Sequence, residues 1–330
     1  MAINIPSSTT QFVIDESDET YTLQADVTVD VDGNDAIFAS DGVTNDELII
    51  EGKVLQSGDG FAAIRTDAVN MNIHIADSGS VIGTSGIYSE GFETGSRLEI
   101  TIDGLLEATG ADAYAIQTAD SKEIVVNHGT IIGKIHLGSG EDTFDNRGGE
   151  VTDGIEGGAG DDMLIVDSAD TLLIENGGSE GYDTVKSTVS YTLSENVEQL
   201  ILMGKKNLNG TGNDDQSDLV GNKGKNVLSA LDGNDILDGK RGADKLDGGD
   251  GADIFVFKNG YGKDTIMDFE DGVDRIDVSE WQGFDDFADI QSQMSSSNGD
   301  VLIKVGKDVL RIADTSEAEI DQSDFIFEII

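Results

Sequence analysis

Between positions 221 and 256 four side chains with metal-ligand chemistry stand nine residues apart: Asn226, Asp235, Asp244 and Asp253. Each follows a glycine by two places, at Gly224, Gly233, Gly242 and Gly251, and precedes a large apolar residue by two, at Leu228, Leu237, Leu246 and Phe255. Aspartate supplies a hard oxygen anion, glycine lets the backbone turn tightly and come close to a ligand, and the apolar residue points inward once per unit. That combination describes a calcium-binding parallel β-solenoid. Its core is too thin to hold it alone, because burying one Leu yields about 1.5–3 kcal/mol whereas ordering a residue's backbone costs roughly 1–2 kcal/mol. Ladder hydrogen bonds, stacked neighbours and metal ligation must supply the rest.

Composition agrees. The 330 residues include 66 acidic and 20 basic ones, for a formal charge of −46. Two carboxylates about 5 Å apart repel by roughly 3 kcal/mol at an effective dielectric of 20, so a fold that gathers so many needs a cation. Nucleic acid and anionic membranes are poor partners for this surface. With 42 glycines in phase with apolar residues and a single proline, tight repeated turns are expected and a disordered linker is not. Cysteine is absent, which excludes disulfides and thiolate metal sites. The opening MAINIPSSTTQFVIDESDE has neither a basic n-region nor an apolar h-region, and no run reaches the roughly 18 apolar residues of a membrane helix. Extracellular calcium modules bind at about 10⁻⁴–10⁻³ M, far above cytosolic calcium, so the ligand chemistry points outside the cell.

The elements that must position these turns show a second, longer period. Gly52, Gly79, Gly104 and Gly129 are each followed two places on by an aliphatic residue, at spacings of 27, 25 and 25. Short apolar strand signals precede them, at Leu48 to Ile50, Ile73 and Ile75, Ile100 and Ile102, and Ile124 to Val126. Further pairs follow at Ala63-Ile64, Gly86-Ile87 and Ala115-Ile116, with a less regular coil around Val27 to Phe38. Residues 1–136 therefore read as an N-terminal β-solenoid of several short strands per coil, with an antiparallel sandwich as the other reading.

The glycine and aspartate pattern begins again earlier, at Gly138, Gly140, Asp142 and Phe144, then at Gly157, Gly158, Gly160, Asp162 and Leu164. With GGDGADIFV, which holds Gly249, Gly251 and Asp253, these units resemble the G-G-x-G-x-D-x-U-x nonapeptides of the RTX (repeats-in-toxin) family. The resemblance implies a β-roll in which successive turns alternate sides, so that Asn226 pairs with Asp244 and Asp235 with Asp253. It also places Asp142 and Asp162 on one side. Departures are Ala230-Leu231 and Lys240 where glycines are usual, and Asn226 in place of a carboxylate. Asp183 and Asp214 sit in imperfect turns, while Asp264, with Gly260, Gly262 and Ile266, closes the last site. The segment NGYGKDTIMDFEDGVDRIDVSEW resembles the cap after the roll in serralysin-type proteases. Val301 to Val305 and Asp308 to Ile312 read as a hairpin about Gly306-Lys307, and the ending DFIFEII looks like an uncleaved type I secretion signal. The expected organisation is a solenoid over 1–136, a calcium-binding roll with spacer strands over 137–256, and a cap with secretion signal over 257–330.

An enzyme is harder to find. The zinc motif H-E-x-x-H of the RTX proteases is missing, His74, His128 and His136 are scattered, and neither G-x-S-x-G nor a phosphate loop occurs. The favoured function is a secreted, non-catalytic calcium-binding structural or adhesive protein. Its partners would be the type I secretion machinery and either itself or an extracellular carbohydrate, with no membrane insertion. The alternative is a polysaccharide lyase or epimerase on the N-terminal coils, with Asp103, Lys122 and Glu123 as candidates.

Overall fold

The computed structural model describes residues 2–40, 44–90, 97–110, 112–120, 122–175 and 181–328. The fold is an all-β parallel solenoid continuing into the glycine-turn roll, with an antiparallel cap, and it divides into two compact units, Met1–Asp183 and Thr184–Ile330. Among the described residues no helix is long and apolar enough to cross a membrane.

In the first unit each coil contributes a strand to each of three parallel sheets, because its apolar residues come in three short runs separated by turns. One sheet contains Glu47–Ile50, Met71–Ile75, Arg97–Ile102 and Lys122–Asn127; a second contains Lys53–Ser57, Ser80–Gly83, Leu105–Ala108 and Thr130–Ile132. The third runs through Ile37–Ala39, Ala62–Thr66, Ser85–Ser89, Tyr114–Gln117, Lys134–Ser139 and Ile155–Ala159. The stacked coils expected from the period are thus present, and the sandwich is excluded. Register makes like residues into columns: Leu48, Ile73, Ile100 and Val125 stack in one sheet, and Val54, Val81, Leu106 and Ile131 in another, all 1% exposed or less. The repeated glycine has a steric cause at Gly104, where an added methyl carbon would lie 2.3 Å from the Gly79 carbonyl oxygen of the coil beneath. Because the Ile100 side chain is closed above and below by Ile73 and Val125 of its own column, Ile100→Ala is expected to cost about 2–5 kcal/mol, read as a fall in the urea midpoint with unchanged slope.

The turns with Gly138 and Asp142, and with Gly158 and Asp162, belong to this first unit, where Gly138 pairs with Gly158 in the third sheet. In the second unit the coils shorten to two strands and two parallel sheets. Gln199–Leu202, Asp218–Val220, Ile236–Asp238, Ile254–Val256 and Arg275–Asp277 form one; Asn209–Thr211, Val227–Ser229, Lys245–Asp247 and Lys263–Ile266 lie in the other. Successive nonapeptides therefore alternate sheets.

The expected hairpin is found, Asp300–Val305 against Asp308–Ile312, with Asp308–Ile312 also parallel to Lys263–Ile266. It gains a third strand, Met294–Ser297, through an Asn298-Gly299 turn in which both φ angles are positive, as a tight hairpin turn requires. A short helix, Phe287–Gln293, capped by Asp286, precedes it. Phe325–Ile326 adds a parallel strand beside Arg275–Asp277, and Trp281 packs edge-on to Phe284 at 5.1 Å.

Candidate metal centre

Stacking in register turns a residue repeated at the coil period into a column. In the first unit Asp142 Oδ1 accepts the Glu123 N–H at 2.7 Å, Asp162 Oδ1 accepts the Asp142 N–H at 2.8 Å, and Asp183 Oδ1 accepts the Asp162 N–H at 2.8 Å. The second unit has two such columns. Asp235, Asp253 and Asp274 accept, in turn, the N–H groups of Ser217, Asp235 and Asp253 at 2.7, 2.9 and 3.0 Å. On the other sheet Asp244 and Asp264 accept those of Asn226 and Asp244 at 2.8 and 2.9 Å. Residues 18 apart, Asp235 with Asp253 and Asn226 with Asp244, are therefore neighbours on alternating sides.

One oxygen of each carboxylate is fixed by backbone. The second is not: Oδ2 of Asp142, Asp162, Asp235, Asp244 and Asp253 is buried with no hydrogen-bond partner among the described residues. An ionised oxygen in that state is costly, and such groups neutralise or find a cation. Burial first, then repulsion from Glu123, pushes Asp142 up to about 8. Burial likewise carries Asp162, Asp253 and Asp264 to about 7, and Asp235 and Asp244 to about 6.

The glycine turns leave room beside these oxygens. A methyl carbon added at Gly157 would fall 2.4 Å from both Asp162 Oδ2 and Glu175 Oε1, and one at Gly248 would fall 2.1 Å from Asp253 Oδ2. Orphaned hard oxygens facing side-chain-free backbone, without a nitrogen or sulfur donor in the columns, fit calcium, which takes six to eight oxygens in flexible geometry. Of the other motif positions, Gly138, Gly140, Gly158, Gly160, Gly233, Gly249, Gly251 and Gly262 hold positive φ, while Gly224 and Gly242 stack on carbonyls of the coil beneath. Leu231 and Lys240, standing where glycine is usual, are forced to φ of 81° and 63°, a left-handed backbone that costs an ordinary residue roughly 1–2 kcal/mol.

Asn226 behaves differently from the aspartates. Its Oδ1 accepts the Asn222 N–H, and its Nδ2 donates to the Leu208 carbonyl at 2.7 Å. The amide satisfies by hydrogen bonding what a carboxylate there would leave open. Asp214 lies exposed, and Ser217 occupies the column position beneath Asp235.

Two functional side chains, Glu175 and Asp268, escaped the repeat pattern. Asp162, Glu175 and Asp183, all buried, bring ligand oxygens within 4.8 Å of one another. Glu175 also accepts the N–H groups of Gly157 and Gly158, each at 3.2 Å, and burial with repulsion from Asp183 raises it to about 8. Asp268 clasps Gly248 and Gly249 in the same way, at 3.0 and 2.7 Å. The signal in sequence is an acidic residue 18 or 20 positions after a glycine pair. Asp274 is saturated, its second oxygen accepting the Glu270 N–H at 2.8 Å.

The proposed catalytic trio does not assemble. Glu123 is buried in the first column, and Lys122 reaches Glu141 at 3.4 Å. Asp103 instead lies between two histidines, 2.8 Å from His74 Nε2 and 2.9 Å from His128 Nδ1, which hold its carboxyl below the usual range. His136 faces Glu156 at 3.3 Å.

Endo-1,3-1,4-beta-glycanase EglC of Rhizobium meliloti is 40% identical over 170 residues, which is 51% of this chain and 34% of that protein, so the chain spans about a third of the relative's length. The extracellular lipase LipA of Serratia marcescens is a structural neighbour at 15% identity and a TM-score of 0.26, covering 76% of this chain and 45% of the lipase. The family profile described as peptidase M10 serralysin C terminal matches residues 33–292. The columns of aspartate over glycine turns are what that RTX-type family uses to bind calcium, and by this match the chain belongs to it.

Proposed function

We propose that this is a secreted, non-catalytic calcium-binding structural or adhesive protein that folds on calcium after type I export and presents its first unit as the working surface. The observation that carries the reading is the set of five buried carboxylate oxygens without partners among the described residues, three of them, on Asp162, Asp244 and Asp253, beside a glycine. In this proposal the ligands are Asp142, Asp162, Glu175 and Asp183 in the first unit, and Asp235, Asp253, Asp244 and Asp264 in the second. Gly138, Gly140, Gly158, Gly160, Gly233, Gly242, Gly249, Gly251 and Gly262 leave backbone open beside them. Asn226 and Gly224 end a column by hydrogen bonding and stacking rather than by ligation. Bound calcium would supply the positive charge that the columns lack. At cytosolic calcium the carboxylates would repel and oppose the roll, which suits export as an unfolded chain.

The carbohydrate-active alternative draws support from the glycanase relative. Its candidate carboxylates are held in other contacts, Glu123 buried in the first column and Asp103 bonded to His74 and His128. Size-exclusion chromatography with light scattering across a calcium titration tests the favoured reading. Collapse of an expanded chain into chelator-reversible assemblies is the result expected of a layer or matrix protein, and collapse to a compact monomer that of a soluble adhesin. A circular dichroism spectrum indifferent to saturating calcium would defeat both.

A further inference from the structure

On the third sheet of the first unit register aligns the partly exposed residues Phe38, Arg65, Tyr88 and Gln117 in a row across four strands. Beside the row lies a cleft of about 390 Å³ lined by Asp35, Phe61, Arg65, Tyr88, Glu90 and Gln117. We propose that this row and cleft bind a neutral, β-linked glycan chain lying along the solenoid. The inference deepens the reading of the first unit as the working surface and rests on it.

The chemistry of the cleft selects the ligand. The Arg65 guanidinium is 2.8 Å from Glu90 and 3.5 Å from Asp67, and it sits 5.8 Å from the ring centroids of both Phe38 and Tyr88. Its charge is thus fixed and more than balanced, since Asp35, Asp67 and Glu90 surround one cation. A uronate, sulfate or phosphate would meet excess negative charge. Sugar hydroxyls suit it, because each can donate to a carboxylate and accept from an N–H. Aromatic rings offer flat apolar faces to the C–H side of a pyranose. The Ser85 hydroxyl, also at the cleft, and the Gln117 amide make no hydrogen bond among the described residues, so both are open to a ligand. Neighbouring strands lie about 4.7–4.9 Å apart, close to the length of one pyranose unit, so successive sugars would meet successive coils.

The test is isothermal titration of the whole, calcium-loaded chain with cello-oligosaccharides and mixed-linkage β-glucan oligosaccharides, against oligogalacturonate, with circular dichroism on each sample. Binding of the neutral oligosaccharides is expected, weakened at least tenfold by Tyr88→Ala and measurably by Gln117→Ala, which removes no hydrogen bond among the described residues. A flat titration on protein folded by calcium would overturn the cleft while leaving the calcium reading standing. Affinity untouched by both substitutions, or a preference for oligogalacturonate, would overturn it as well. A spectrum that ignores calcium would sink the calcium reading instead, and the titration would still decide the cleft.

Discussion

Chelating calcium at pH 8 should unfold the carboxylate columns, and bringing the calcium-free protein down to about pH 5.5 should restore much of the lost structure. The sign is the reverse of ordinary acid denaturation. Eight carboxyls titrate in the folded protein well above the unfolded value of about 4: Asp142 and Glu175 at about 8, Asp162, Asp253 and Asp264 at about 7, Asp235, Asp244 and Asp247 at about 6. Between about pH 4 and 8 the folded state therefore holds more protons than the unfolded one. Stability is fully present below that window and is lost as pH rises through it, by about 1.4 kcal/mol per pH unit for each proton in excess. Protons and calcium compete for the same oxygens, so the calcium midpoint should move to higher concentration as pH falls from 8 to 6. The general repulsion of a chain with charge −46 would give the same direction, but 1 M salt shortens its reach to about 3 Å and leaves buried groups little affected. Circular dichroism in chelator across pH 5 to 8, with and without 1 M salt, separates the two. A calcium-free protein that grows steadily more stable from pH 5 to 8 would rule out the columns as drawn.

How far the chain could be read in advance depended on whether a contact repeats. Ile73, Ile100 and Val125 announce a column because the same residue class returns at one period, and so do Asp235 and Asp253. The stacked coils follow from those spacings, and the alternation of sides from the resemblance to the RTX nonapeptides. Contacts between unlike residues across loops of unequal length leave no such trace. Glu175 reaches Gly157 and Gly158 from outside the nonapeptide phase, and Asp308 reaches Gly260 and Gly262 across more than forty residues. The union of His74 and His128 on Asp103 needs three coils to be stacked before it exists. Asp214 misleads for a related reason: its turn has the right composition, but the position eighteen residues before Asp235 belongs to Ser217. The helix Phe287–Gln293 is only seven residues long, and just Ile290 is buried within it, too little for a helical period to show.

Gly251→Ala should be among the most damaging single substitutions in the second unit, and Gly272→Ala among the mildest of its class. Both glycines hold positive φ, 150° at Gly251 and 75° at Gly272. They differ in what lies above the missing side chain. A methyl carbon at Gly272 would meet nothing within 4 Å, so its cost is the left-handed backbone alone, roughly 1–2 kcal/mol. At Gly251 the carbon would stand 1.5 Å from the Gly233 carbonyl oxygen. That obstacle is backbone and cannot swing aside. The two coils are also tied on either side of it, by Asp253 accepting the Asp235 N–H and by Ile254 paired with Ile236. Relief requires lifting one coil from the other, which breaks ladder bonds of about 1 kcal/mol each on top of about 1–3 kcal/mol of backbone strain. A total near 3–5 kcal/mol is expected, measured by urea denaturation in saturating calcium. Lifting the coil also parts Asp253 from Asp235, so Gly251→Ala should raise the calcium concentration needed for folding, whereas Gly272→Ala should leave it nearly unchanged. Equal losses in the two variants would mean that conformational preference, and not the stacking of coil on coil, is what the repeated glycine serves.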